Sequence, residues 1–304
     1  MKAQPMLPLV EDAARFLLPP WIRVPRSASA PEAAFASGAA LAVLHPLVAT
    51  SKAAPLHDVP LDALSDRLAL YAAEACAILI GRPERAEDLR DEVHLLRAGE
   101  RPGPTGVVFQ RFRDAGAARA HAAPAGVSRP IAEAFGPWFA EAEGGPVVRA
   151  ARLLERALDK EGADEATALI LADTALARAL GWGRMLPLVA LGLPRARLRA
   201  RGSELDLACH GAVLAGIRRA LPVAADLSRA AARLSSVAPK LRAKPAGRAV
   251  ALFLSQDALS PGIALTAPAV GLSDRSARRL CDRLVSLGAV RELTGRATFR
   301  LYGL

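Results

Sequence analysis

The sequence predicts a mainly α-helical chain: an irregular helical bundle or short helical solenoid, followed by a small C-terminal unit that adds a β-hairpin to its helices. Three observations carry this. The chain is 52% hydrophobic and rich in alanine, the strongest helix former and a weak strand former. Aromatic residues, which favour strands, make up only 4%. Apolar residues recur at three- and four-residue spacing along most of the length. A chain of 304 residues suits two domains. Because alanine buries little area, many closely packed helices are expected in place of a few large ones.

Residues 1–31 are punctuated by Pro5, Pro8, Pro19, Pro20, Pro25 and Pro31 and read as an extended segment, with Trp21 and Ile22 available to anchor it. Helical periodicity then takes over for residues 32–238. A helix over 32–48 would turn Phe35, Ala39, Ala42 and Val43 to one face, and a helix over 62–80 would do so with Leu64, Leu68, Tyr71, Ala75, Ile78 and Leu79. Gly81-Arg82-Pro83 stops the latter. Residues 84–96 make a more charged, solvated helix. The Gly/Pro-rich stretch 97–106 is a loop without the spacing of a phosphate-binding cradle. Further helices are expected at 107–114, 129–143, 146–160, 164–180, 204–221 and 224–237. The apolar faces of the last two suit either the core or a homodimer interface. Residues 238–247, with two prolines, three basic groups and a glycine, mark the boundary of a C-terminal domain, 239–304.

That domain opens with an amphipathic helix over 246–256, with Val250, Phe253 and Leu254 inward. Ser260-Pro261-Gly262 turns the chain. A second short helix is expected near 265–270, although Pro268 falls inside it, where proline is tolerated only in a first turn. Gly271 then supplies a tight turn. Ser273 supplies an N-cap whose hydroxyl accepts from an orphan backbone N–H, and Asp274 complements the positive helix end. In the helix that follows, Ala277, Leu280, Cys281, Leu284 and Leu287 face inward, and Gly288 ends it. Residues 289–293 and 297–302 form a hairpin around Thr294-Gly295-Arg296, with Val290, Leu293, Phe299 and Leu301 covering the helices.

Helix, helix, recognition helix and basic hairpin, in that order, is the plan of a winged helix-turn-helix. Such a recognition helix presents its N-terminal side chains to major-groove base edges. Arg275 and Arg279 suit bidentate guanine contacts. Arg296 at the hairpin tip suits a minor-groove or phosphate contact. Ser273, Ser276, Arg278, Arg283, Arg291 and Arg300 complete the candidate DNA-binding set, chiefly as phosphate contacts that fix register.

Charge placement supports this. Only Lys2, Lys52, Lys160, Lys240 and Lys244 are lysines, so 35 of the 40 basic residues are arginine, an excess that GC-rich coding explains. Coding bias would spread the net +10 evenly. Instead the segment 229–304 holds 13 basic and 4 acidic residues, leaving 27 basic and 26 acidic for the rest. Such asymmetry is an electrostatic footprint of nucleic-acid binding.

Other chemistry is weakly signalled. Cys76, Cys209 and Cys281 lie far apart, which favours a reducing, cytoplasmic setting over a disulfide or zinc framework. No secretory leader is read at the N-terminus, and the apolar run 185–193 is far short of the ~20 residues that span a bilayer. The histidines show no metal-ligand spacing, so neither a metal nor another cofactor is expected. Cys209 and His210 are adjacent on a helix and point about 100° apart, so a buried cysteine beside a partly exposed histidine is expected in place of a nucleophile and base. Glu92 and His94 suggest surface contacts only. Asp159, Glu161, Asp164 and Glu165 sit where a helix N-terminus ordinarily wants negative charge.

The stretches LPPWIR, AAFASGAALAVL, EDLRDEVHLLRAGERPGPTG, ALGWGRMLPLVALGL, PKLRAKPAGRAVALFLSQDALSP and GLSDRSARRLCDRLVSLGAVRELTGRATFRLYGL together resemble the bacterial family called "domain of unknown function 1403" across nearly the whole chain. The resemblance implies an alphaproteobacterial protein associated with plasmids or mobile elements, and it carries no catalytic residues to transfer. Pro268 stands where an ordinary helix former is expected. The final RELTGRATFRLY also resembles the winged end of other helix-turn-helix families. The expected function is therefore non-enzymatic binding of double-stranded DNA, as a transcriptional regulator or a plasmid or mobile-element maintenance factor. The alternative is an interaction scaffold whose winged helix docks on a replication or segregation protein.

Overall fold

A computed structural model describes residues 14–23, 29–49, 59–82, 84–97, 99–241 and 245–304. The sequence expectations for residues 1–13, 24–28, 83, 98 and 242–244 lie outside these. The body begins with α1 (Ala30–Val48), whose first turn is fixed by the Ser29 N–H donating to Glu32 at 2.7 Å, with Pro31 just inside the start. α2 (Leu61–Leu79), α3 (Ala86–His94), α4 (Pro104–Ala117), α5 (Arg129–Glu141), α6 (Pro146–Leu158) and α7 (Glu165–Ala179) follow, then the short α8 (Leu188–Gly192) and a 3-10 turn at Arg195–Arg199. α2 and α7 are buried on nearly every side, as core helices must be when they are apolar all round. α4, α6, α8 and α9 (Gly202–Val237) pack around them, and α1 lies against α9.

Two close approaches set this packing. A Cβ on Gly192 would strike the Ala212 carbonyl, and one on Gly216 would strike that of Leu188, so α8 meets α9 backbone to backbone. Asp173 of α7 is fully buried and accepts from the amides of Val189 (2.7 Å) and Ala190 (3.1 Å), satisfying the start of α8, which is too short to hold itself.

Several expectations are corrected. The helices expected at 204–221 and 224–237 are one helix, α9. Pro222 sits on its exposed side, where the carbonyl that loses its amide partner faces water. The apolar face of α9 is spent on α1, α2, α6 and α8. In α1 the buried residues are Ala33, Ala36, Ala40, Leu41, Leu44 and Leu47, not the Phe35 face; Phe35 is 67% exposed and meets Trp21 at 5.9 Å between ring centroids. Ile22 does anchor its segment, buried at 2% exposure with its carbonyl accepting from Arg218. α1 is also long and apolar enough to cross a membrane by length and composition, and 44% of that stretch is buried within the fold.

α3 is not a solvated helix. Leu89, Arg90 and Val93 are buried, Glu92 accepts from the Gly103 amide, and the His94 ring lies 6.2 Å from that of Phe109. Burial, with Arg113 and Arg90 adding repulsion, pushes the His94 imidazole down to about 3, so it stays neutral. Cys209 is buried and His210 half-buried beside it, as expected.

After a 3-10 turn at Ala238–Lys240 come α10 (Ala246–Phe253), a single π-type turn at Pro261–Leu265 and α11 (Asp274–Ser286). The second helix expected at 265–270 is absent: the chain there makes non-helical turns around Pro268, which has no N–H to give and whose ring obstructs the preceding turn. The hairpin is shorter than expected. β1 (Arg291–Glu292) pairs antiparallel with β2 (Tyr302–Gly303), and the residues between form a loop. Glu292 ends β1 by accepting from the amides of Thr294 and Gly295, both at 2.8 Å. Phe299, expected inward, is 62% exposed with a positive φ of 53°. Leu301 and Tyr302 fill the place it was assigned, with Ala249, Phe253, Leu265, Ala277, Cys281 and Leu284 beneath; Leu280, Leu287 and Leu293 are only half-buried.

This tail is joined to the body by buried charge. Asp257, in the turn after α10, has a fully buried carboxylate that pairs with Arg67 of α2 and with Arg90 of α3 (2.5 Å to Oδ2). Its amide donates to Asp66 at 2.7 Å, and Asp66 in turn pairs with Arg113 of α4. Burial and the neighbouring Arg90 hold the Arg67 guanidinium down to about 10, while burial raises Asp66 against the pull of Arg113.

Candidate nucleic-acid interface

The outer face of α11 is an exposed cationic surface. Its start is built as the sequence requires: Gly271 turns with φ +75°, and the Ser273 hydroxyl accepts from the Ser276 amide at 3.3 Å while donating to the Ser276 hydroxyl at 2.9 Å. Ala277, Cys281 and Leu284 hold one face down, so the other must face water. Burial pushes the Cys281 thiol up to about 12, as it does those of Cys76 and Cys209, so all three are inert at neutral pH.

Arg275, Arg279 and Arg283, spaced four apart, lie along one exposed ridge and have no carboxylate partner among the described residues. Arg278 is exposed too and pairs with Asp274 one turn back, at 2.9 Å. Arg248 of α10 brings its Nη2 to 3.9 Å from where a Cβ on Gly271 would lie, which adds a cation beside the start of α11.

The remaining expected contacts are dispersed. Arg291 is exposed on β1 at the far end of α11. Arg300 is exposed, and its Nε donates to the Arg296 carbonyl at 2.8 Å. Arg296 reaches back to the body and pairs with Asp91 of α3, so its charge is already matched. The structure thus brings Ser273, Arg275, Ser276, Arg278, Arg279 and Arg283 onto one helix face, sets Arg291 and Arg300 on the short hairpin, and ties Arg296 down. Sequence reading missed Arg248, Arg229 and Arg233. All three fell inside the basic segment from residue 229 onward, but a charge count assigns no face.

A second constellation lies in the body. Ser37 Oγ and His210 Nδ1 are 2.7 Å apart, with Asp206 one turn before His210. The Ser37 hydroxyl also lies 3.0 Å from the Ala34 carbonyl, to which it can donate, and the direction of its bond to Nδ1 follows the imidazole tautomer. Asp206 is held by Arg152 at 2.7 Å. Among the described residues no three His, Cys, Asp or Glu side chains are grouped to hold a metal ion.

A helical body with a cationic, N-capped helix on its C-terminal unit is therefore the class of molecule defined so far. Residues 10–304 match the family described as "Protein of unknown function (DUF1403)", and the chain belongs to that family. No curated protein and no solved structure matches it.

Proposed function

We propose that this protein binds double-stranded DNA through its C-terminal unit, read as a reduced winged helix-turn-helix with α11 as the recognition helix. The observation that carries the reading is the ridge of Arg275, Arg279 and Arg283, exposed on a capped helix and without ion-paired carboxylates among the described residues. Arg275 and Arg279, nearest the helix start, are the side chains to read guanine edges, and Arg278, Arg283, Arg291 and Arg300 the ones to hold phosphates. The role is non-enzymatic: transcriptional regulation, or maintenance of a plasmid or mobile element. Two-fold pairing would place two recognition helices on successive half-sites. With the apolar face of α9 committed to the core, such pairing would use another surface.

Selection of bound duplexes from a random pool, followed by titration of the winner over a range of salt, tests the reading. A defined motif is expected, with log K falling against log[salt] at about −0.9 per phosphate neutralised. Failure to enrich any sequence, together with binding that is absent or flat with salt, would sink it. The Arg296–Asp91 tie and the missing second helix favour a second reading, an interaction scaffold whose C-terminal unit docks on a replication or segregation protein.

A further inference from the structure

An open cleft of about 360 Å³ lies between the C-terminal third of α9 and the residues that connect α11 to β1. Arg229 and Arg233 enter it from α9, Arg291 from β1, and the buried Arg67 lies at its floor; Asp226 is the only acidic residue in its lining. Asp226 pairs with Arg229. Arg233 turns its Nε to the Arg229 carbonyl at 3.3 Å, leaving its terminal nitrogens without a hydrogen-bond partner among the described residues. Arg291 has no carboxylate partner there either, and its charge adds to the burial that already holds the Arg67 and Arg90 guanidinium groups below their ordinary range. Arg67 is paired with Asp257 and Arg229 with Asp226, so Arg233 and Arg291 are the cations of this concave site left without a carboxylate among the described residues.

We infer that this cleft holds a phosphate group through Arg229, Arg233 and Arg291. Guanidinium forks match the paired oxygens of a phosphate, and a concave site with low-dielectric walls strengthens the attraction. A carboxylate ligand would offer less charge for the two unmatched cations, Arg233 and Arg291. The cleft wall at Gly288, Ala289 and Val290 directly continues α11, so a nucleic-acid strand lying along the Arg275–Arg283 ridge would reach it at the helix end. The source of the phosphate, the duplex backbone, rests on the DNA-binding reading; the chemistry of the cleft does not.

The test compares the full-length protein with the Arg229→Ala/Arg233→Ala double variant, both positions being exposed on α9, by two measurements. One is salt-dependent binding of a short random-sequence duplex; the other is the shift in melting temperature with inorganic pyrophosphate. If the cleft takes backbone phosphate, the variant keeps the wild-type melting temperature but binds duplex with a salt slope shallower by about 1.8, two contacts at about 0.9 each, and any sequence preference is unchanged. If wild type ignores duplex but is stabilised by pyrophosphate, and the variant is not, the cleft is a site for a free phosphorylated ligand and only the DNA reading fails. Duplex binding of equal slope in both proteins overturns the cleft and leaves the DNA reading standing. Response to neither probe overturns both.

Discussion

In the helical body arginine is mostly matched, and in the C-terminal unit it is mostly not. Arg85 meets Glu74, Arg111 meets Asp164, Arg152 meets Asp206, Arg156 meets Glu141, Arg184 meets Asp62 and Arg201 meets Asp159. Arg149 and Arg178 lie over the Phe139 ring and Arg219 over Tyr71. From Gly271 onward the pairs are Arg278 with Asp274, inside α11, and Arg296 with Asp91, across to the body. Exposed pairs are worth little each, about 0–1 kcal/mol, so their number says nothing about stability. What they do is cancel the far field of the body and leave that of the tail uncancelled. An arginine-rich composition can come from coding bias, but leaving a particular ridge unpaired among the described residues, with Asp282 beside it, concerns the surface itself.

Breaking the junction between the two regions should have the largest effect. Asp257→Ala leaves Arg67 and Arg90 buried without their carboxylate and should cost about 3–5 kcal/mol, read by denaturant unfolding, because an uncompensated buried charge is the main penalty. An unchanged midpoint would mean that the tail is hinged to the body, not fused to it. On the tail alone, Arg275→Ala should lower discrimination between the selected motif and a mismatched one by about 1–3 kcal/mol. An equal loss of affinity on every sequence would demote Arg275 to a phosphate contact. Ser273→Ala removes the N-cap of α11 and should lower stability by about 1 kcal/mol, with Ser273→Gly costing only a few tenths.

Acid sharpens the comparison from the side of the body. His94 is held neutral down to about 3, whereas an unfolded histidine takes up its proton near 6.5. The stability His94 contributes is thus fully present above 6.5 and is lost as pH falls toward 3, with a slope approaching about 1.4 kcal/mol per pH unit. His94→Leu should flatten that part of the stability profile; parallel profiles for variant and wild type would show the ring is solvated. The smallest effect is expected at Asp91→Ala, which breaks a half-exposed pair. Stability should move by less than about 1 kcal/mol while Arg296 is freed, and duplex affinity should rise slightly if the loop between β1 and β2 reaches DNA.

Legibility in the sequence followed the range of the forces involved. Ser273, Gly271 and Gly288 marked the ends of α11 because capping and tight turns act within a few residues, and the exposed arginines of that helix followed from its periodicity. Pro268 signalled the difficulty with the second helix for the same reason. The outer face of α1 was misread because Phe35 is large and apolar, yet the partner helices chose the alanine and leucine face instead. α9 was split at Pro222, since local propensity cannot register a neighbouring core that carries a helix across one lost hydrogen bond. His94 looked like a surface residue because only its fold neighbours, Phe109 and Arg113, bury it.

By itself, then, the sequence determined where α11 begins and ends, the helical character of the chain and the concentration of positive charge in its last quarter, all of which depend on contacts a few residues apart or on simple counting. Which arginines remain unneutralised was decided only by the tertiary structure. Pairs such as Arg67 with Asp257 and Asp91 with Arg296 join residues roughly 200 positions apart, and no local pattern encodes a distance of that kind.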